Sequence, residues 1–231
     1  LSTALANATP GQIITLGSGT YTGDFQISGK IGTAANGIVI RSGTPLGAVF
    51  ASGSSLTVNN CQHVTVEGLD FPFDQEGDTL LMRGNSQNCR FMRCRVGPSS
   101  LTNSSLSGNY VYVGDDVKHF RIGYCTFRNK GTNGNVVRVY GNFDTLIGCK
   151  YGRMDHCLVD TVGNEVGNDK EAVRWGVSTM SRTDTFSVIE RNVFVNSKAD
   201  PEVVSGKMGR LVQRGNTLLR CTGSMTIRHG R

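Results

Sequence analysis

Three short stretches near the C-terminal end gather the side chains best suited to chemistry: GNDKEAVRWG at 167–176, SKADPEVVSGK at 197–207 and GSMTIRHG at 223–230. Asp200 and Glu202 lie two positions apart, so an extended backbone turns both carboxylates to one face. Read in isolation the pair is an exposed acidic patch on a loop, and Lys207, after Ser205-Gly206, is a surface lysine. A second acidic pair, Asp115 and Asp116, follows Gly114. Hydrolysis of a glycosidic bond needs two carboxylates working on the same bond as acid and base. Adjacent residues of a strand point to opposite faces, so this pair reads as part of a turn. The seven cysteines are odd in number and lack any C-x-x-C spacing, which argues against a disulfide framework and a structural zinc site.

A repeat supplies the elements that must position these residues. Six segments stack without gaps: VTVEGLDF at 64–71, CRFMRCRV at 89–96, FRIGYCTF at 120–127, GRMDHCLV at 152–159, SVIERNVF at 187–194 and LVQRGNTL at 211–218. Their starts are 25, 31, 32, 35 and 24 residues apart. The eighth position is always apolar, and the third is apolar in all but Gln213. Such alternation marks strands with one buried face, and a period of this length with variable insertions marks a solenoid. One coil cannot bury its own inner face, so coils must stack. At the sixth position Cys94, Cys125 and Cys157 predict a buried, inert thiol ladder, continued by Asn192 and Asn216 with amides bonded along the stack. Residues 2–8 predict a short helix capping the first coil, where an open solenoid end would expose unpaired backbone. At the other end the sequence stops after a strand-like run, and further coils are expected beyond Arg231. The expected fold is all-β: one right-handed parallel β-helix domain over 1–231, the N-terminal part of a longer helix.

Composition agrees. Thirty glycines and many β-branched residues disfavour helices, and no apolar run approaches the roughly 20 residues that span a bilayer. The formal charge is +6 and the pI about 9.0, with the basic residues dispersed along the chain. Such a surface attracts a polyanion, nucleic acid or acidic glycan, unless it is merely basic and has no partner. Zinc spacing, a recognition helix and RNA-binding aromatic motifs are all missing, which sets nucleic acid aside.

The three C-terminal stretches resemble polysaccharide lyase family 6, which holds alginate lyases and chondroitinase B. The family pattern has an Asn shortly before EAIRxG, then acidic-x-Glu, a hydrophobic pair leading to a Lys, and an LTLRHG-like strand. Here stand Asn168, Glu171-Ala172-Val173-Arg174, Asp200-Pro201-Glu202, Val203-Val204, Lys207 and Met225-Thr226-Ile227-Arg228-His229-Gly230, with 21 residues from Lys207 to Arg228. PGQIITLGSGTY and VTVEGLDF extend the likeness more loosely over most of the chain. Three positions depart from it. Asp200 stands where Glu is common, Pro201 separates the acids, and Met208 follows Lys207 where a small polar residue is usual.

The resemblance implies β-elimination on a uronate glycan: removal of the C5 proton and expulsion of the oxygen at C4. It implies that Asn168, Asp200 and Glu202 hold Ca²⁺, whose preference for hard oxygens they meet. A metal that neutralises the uronate carboxylate acts on the largest barrier. By the same resemblance Lys207 is the base and Arg228 acts at the leaving oxygen. A guanidinium, with a pKa above about 12, serves there by charge and hydrogen bonding while water gives the proton. Arg174 and His229 are implied contacts to the substrate's carboxylate or hydroxyls. The expected partner is an acidic polysaccharide, alginate before dermatan or chondroitin sulfate, and the expected enzyme is a secreted or periplasmic monomer. Two rivals stand beside it. Asp115-Asp116 with Arg228-His229-Gly230 faintly resembles polygalacturonases, whose Asn-Thr-Asp element is missing. A non-catalytic glycan-binding β-helix is the other, since a fold does not specify catalysis.

Overall fold

The structure is a computed structural model in which residues 1–163 and 169–228 are described. Each coil of the chain contributes one strand to each of three parallel sheets, and each sheet has eight strands. The aligned segments form the first two sheets. Their first halves are Val64–Glu67, Arg90–Met92, Arg121–Gly123, Arg153–Asp155, Val188–Glu190 and Val212–Arg214. Their second halves lie in the second sheet. Between the halves, at the fifth position, Gly68, Arg93, Tyr124, His156, Arg191 and Gly215 take left-handed backbone, with φ from 52 to 69°. An eight-residue segment is therefore two short strands around a bend rather than one strand. The bend is what sends positions three, six and eight to the same interior.

Those positions stack in register. Val66, Phe91, Ile122, Met154 and Ile189 form one inner column, closed by Gln213. Each fully buried aromatic or aliphatic side chain contributes roughly 1.5–3 kcal/mol. Cys94, Cys125 and Cys157 are buried and free, as the thiol ladder requires. The ladder then passes to amides. The Cys157 backbone N–H donates to Asn192 Oδ1 (2.9 Å), and Asn192 Nδ2 donates to Asn216 Oδ1 (3.0 Å). The capping helix covers Ser2–Ala6, two residues shorter than expected, and buries Leu5 against the strand Asp24–Ser28.

The third sheet runs Asp24–Ser28, Ser55–Asn59, Leu80–Arg83, Val111–Val113, Val137–Val139, Val173–Trp175, Glu202–Gly206 and Ser224–Ile227. Its last three strands are the cores of the three chemistry-bearing stretches. Longer loops lead into this sheet, and two of them are pinned together. Lys130, 1% exposed, sets its Nζ 3.2 Å from Asp74 Oδ1, while Asp74 Oδ2 accepts the backbone N–H of Gly131 (2.6 Å) and Thr132 (2.7 Å). Asp115 and Asp116 do form a turn, and both carboxylates are spent on it. Asp115 Oδ2 accepts from Gly84 N–H (2.9 Å) and Asp116 Oδ2 from Asn142 Nδ2 (3.0 Å). Among the described residues no helix is long and apolar enough to cross a membrane.

Candidate active site

On the outer face of the third sheet, parallel register places Arg174, Ser205 and Thr226 side by side. Two residues further along each strand come Gly176, Lys207 and Arg228. The Lys207 N–H donates to Trp175 O (2.8 Å) and the Arg228 N–H to Gly206 O (2.8 Å). Lys207 and Arg228 thus sit at matching positions of neighbouring coils, about 4.8 Å apart by strand spacing.

Lys207 is not the surface lysine its local sequence suggests. It is 4% exposed, with Nζ 3.3 Å from Glu171 Oε1, and Glu171 is itself 1% exposed. Asn135, one coil earlier, holds that carboxylate from the other side, donating through Nδ2 to Glu171 Oε2 (3.3 Å) and to Glu171 O (2.8 Å). Arg138 Nε donates to Asn135 Oδ1 (2.9 Å) and completes the support. Met208, the unusual neighbour of Lys207, is fully buried and anchors it from within. A methyl group added to Gly176 would lie 2.5 Å from Met208 Cγ, so the bare glycine makes room for the thioether.

Asp200 and Glu202 are each 7% exposed, which excludes the exposed acidic patch. The chain around them is not extended, however: Asp200-Pro201 bends, and the strand begins only at Glu202. The bend lets Asp200 Oδ1 accept the Glu202 N–H (2.8 Å). Glu202 Oε1 accepts from Arg228 Nε (2.7 Å) and Thr226 Oγ1 (2.6 Å). Burial pushes the Glu202 carboxyl up, but the hydrogen bonds from its neighbours and the Arg228 charge outweigh it and hold the group below its ordinary value. Asp200, buried with no ion pair among the described residues, is the kind of carboxylate that a cation satisfies. The Asp200–Glu202 donor set fits calcium in chemistry, being all hard oxygen. Among the described residues no three His, Cys, Asp or Glu side chains form a metal-holding group. Asn168, the third expected ligand, and His229 lie outside the described residues.

Arg174 is paired with Asp169 and lies 3.9 Å from Glu171. Burial lowers its pKa, and its Nε is buried without a hydrogen-bond partner among the described residues. Its side chain lies 5.9 Å from the Tyr140 ring, which Arg138 covers at 4.9 Å. The fold therefore joins Lys207, Arg228, Arg174, Asp200 and Glu202 into one site and adds Glu171, Asn135 and Arg138. Glu171 stood inside the EAVR stretch, yet its partner is 36 residues away and no local signal marks the pairing.

The sequence profile of chondroitinase B matches residues 1–231. The chain belongs to the chondroitinase B family. This is polysaccharide lyase family 6, whose members are carbon–oxygen lyases acting on polysaccharides. Solved structures share its parallel β-helix. A mannuronic acid specific family 6 lyase from human gut microbiota superposes with a TM-score of 0.86 at 24% identity, over 99% of this chain and 54% of that one. The family 6 alginate lyase AlyGC gives 0.85 at 24% identity, over 99% and 32%. The family 6 lyase Pedsa3628 from Pseudopedobacter saltans gives 0.78 at 20% identity, over 96% and 51%. The chain spans about half the length of the gut-microbiota and Pseudopedobacter saltans lyases and about a third of AlyGC. No curated protein matches it.

Proposed function

We propose that this chain carries the catalytic face of a lyase that cleaves a uronate-containing glycan, alginate first, by β-elimination. The observation that supports it most is the pairing of two cations at matching positions of adjacent coils, each tethered to a buried carboxylate: Lys207 to Glu171 and Arg228 to Glu202. β-Elimination asks for a base at the C5 proton and positive charge at the departing oxygen on C4. The Lys207 ammonium pairs with Glu171 in the resting site and gives up a proton before it acts; the uncharged Nζ then takes the C5 proton, and Glu171 keeps it in place. Arg228, half exposed at the rim, stabilises the oxygen as it leaves, and water supplies the proton. Arg174, whose Nε has no hydrogen-bond partner among the described residues, and His229 receive the sugar's carboxylate or hydroxyls. Asn168, Asp200 and Glu202 would hold Ca²⁺, which when bound neutralises the uronate carboxylate and makes the C5 proton easier to remove.

Alginate takes precedence because the similar structures are named for mannuronic acid and alginate. A dermatan or chondroitin sulfate lyase is the second reading, favoured by the family's name. We place the enzyme outside the cytoplasm, secreted or periplasmic, as a monomer meeting its polymer. The test is the ultraviolet absorbance of unsaturated uronate during incubation with alginate and with sulfated glycans, with calcium or chelator. A rise on alginate that chelator removes and Lys207→Ala abolishes is the expected result. A flat trace on every uronate glycan, from folded protein with calcium, would leave only glycan binding.

A further inference from the structure

The basic residues that look dispersed in sequence are gathered by the fold. Residues 38–43, 62–68, 87–93, 118–124, 150–156, 184–191 and 209–215 build the first sheet and its two bordering corners. They hold ten Lys and Arg against four Asp and Glu, a surplus equal to the formal +6 of the whole chain. The third sheet, with the Lys207 site, is a different face, whose strands hold Arg83, Arg138 and Arg174 against Asp24 and Glu202.

On this face the charges are layered. Arg121 donates twice to Asp155, through Nε (2.7 Å) and Nη2 (2.6 Å), while Arg153 and Arg214 lie 2.8 and 2.7 Å from Glu190. The carboxylate side chains are 0% and 4% exposed, whereas Arg153 and Arg214 are 42% and 68% exposed. Asp155 and Glu190 lie beneath their cations, while Glu67 and Asp184, 33% and 38% exposed, pair with the more exposed Arg93 and Arg210, so a solute meets a surface of net positive charge.

The layer is also periodic. Arg90, Arg121 and Arg153 occupy one register column on three successive coils, between Thr65 and Val188, so their backbones lie about 4.8 Å apart along the axis. A polyuronate carries one carboxylate per sugar, and a linked pyranose advances by nearly one coil. Stacked rings border the column on both sides. Tyr124 and His156 (4.8 Å) lie along one corner, and His119, Tyr151 and Phe186 (4.5 and 5.7 Å) along the other. Stacked along the axis, these rings turn their electropositive edges outward. A cleft of about 320 Å³ by His63, Asn88 and Arg90 and another of about 360 Å³ by Arg41, Glu67 and Arg93 open on the same face.

We propose that the outer face of the first sheet is a second, non-catalytic binding surface on which a uronate polysaccharide lies along the helix axis. The choice of a uronate chain rests on the function proposed above; the charge and its spacing stand without it.

The experiment uses the full chain carrying Lys207→Ala, so that polymer is not consumed, in native gels cast with alginate, neutral dextran or DNA. Its comparator also carries Arg90→Glu, Lys118→Glu and Arg191→Glu. These three side chains are exposed and have no ion pair among the described residues. Alginate is expected to slow the first protein and dextran is not. The charge reversals should weaken that retention by about tenfold, three exposed contacts of ordinary worth. The same reversals in a chain keeping Lys207 should leave turnover of short oligouronates unchanged. Equal retardation of both proteins by alginate overturns the surface. Retardation of the first protein by DNA as strong as by alginate overturns the uronate assignment. Should the native chain show no elimination, loss of retardation on charge reversal still upholds the surface while the catalytic reading falls.

Discussion

Glu171→Gln isolates the part of the site that sequence did not announce. The substitution keeps the shape and a hydrogen bond from Asn135 but removes the only negative charge within 4 Å of Lys207 Nζ among the described residues. Across 3.3 Å the gross attraction is about 5 kcal/mol at an effective dielectric constant near 20. Both partners are buried, so the remaining lysine cannot recover its hydration by turning outward. Arg174, 3.9 Å from the same carboxylate, loses part of its compensation too. After the hydrogen bonds that glutamine retains are allowed for, the net cost is about 2–4 kcal/mol. In a chain of this size that lowers the thermal midpoint by about 5–10 °C. Because Nζ is no longer held, kcat for unsaturated-uronate formation should fall by about tenfold to a hundredfold with KM little changed. Thermal melts and initial rates on alginate measure both. An unchanged midpoint with unchanged kcat would refute the claim that Glu171 positions Lys207.

Three other predictions follow from different parts of the molecule. Asp74→Ala strands the buried Lys130 ammonium and two backbone N–H groups, costing about 3–5 kcal/mol, read as a lower urea midpoint. Gly176→Ala puts a methyl group against Met208 at a backbone φ of 90°, costing about 1–3 kcal/mol and reducing turnover through its neighbour Lys207. For acid stability, burial pushes the Asp155 carboxyl up from 3.8, but hydrogen bonds from Arg121 and His156 and the nearby arginine charges bring it net below that value. A depressed carboxyl contributes stability above its unfolded pKa and loses it as pH falls through the folded one. Melts between pH 7 and pH 3 should therefore show stability falling below about pH 4. Asp155→Asn should start lower at neutral pH and show a shallower acid slope.

The first two sheets were legible because their inward positions recur within a segment of constant length and carry apolar residues, cysteine or asparagine. The bend at the fifth position was not. Arginine, tyrosine and histidine occupy left-handed backbone there, where propensity favours glycine or asparagine. Stacking along the corners offsets that strain, as between Tyr124 and His156, and it exists only once the coils are assembled. The third sheet was the least legible, since loops of changing length precede each strand. Its C-terminal strands showed through the resemblance to the family pattern, which named Lys207, Arg228, Arg174, Asp200 and Glu202 where the residues read in isolation did not. The support from Asn135 and Arg138 comes from a coil with no such pattern, and the Asp200-Pro201 bend depends on a hydrogen bond to the following strand.

The parallel register of the third sheet has a further consequence. Lys207 and Arg228 belong to different rungs, so their separation along the axis is a backbone dimension, measured out by interstrand hydrogen bonding rather than by rotamers. No point substitution can lengthen or shorten that ruler. Divergence toward other sugars or linkages must then be written into the loops between rungs and the side chains beside the gauge, while the gauge itself is inherited with the fold.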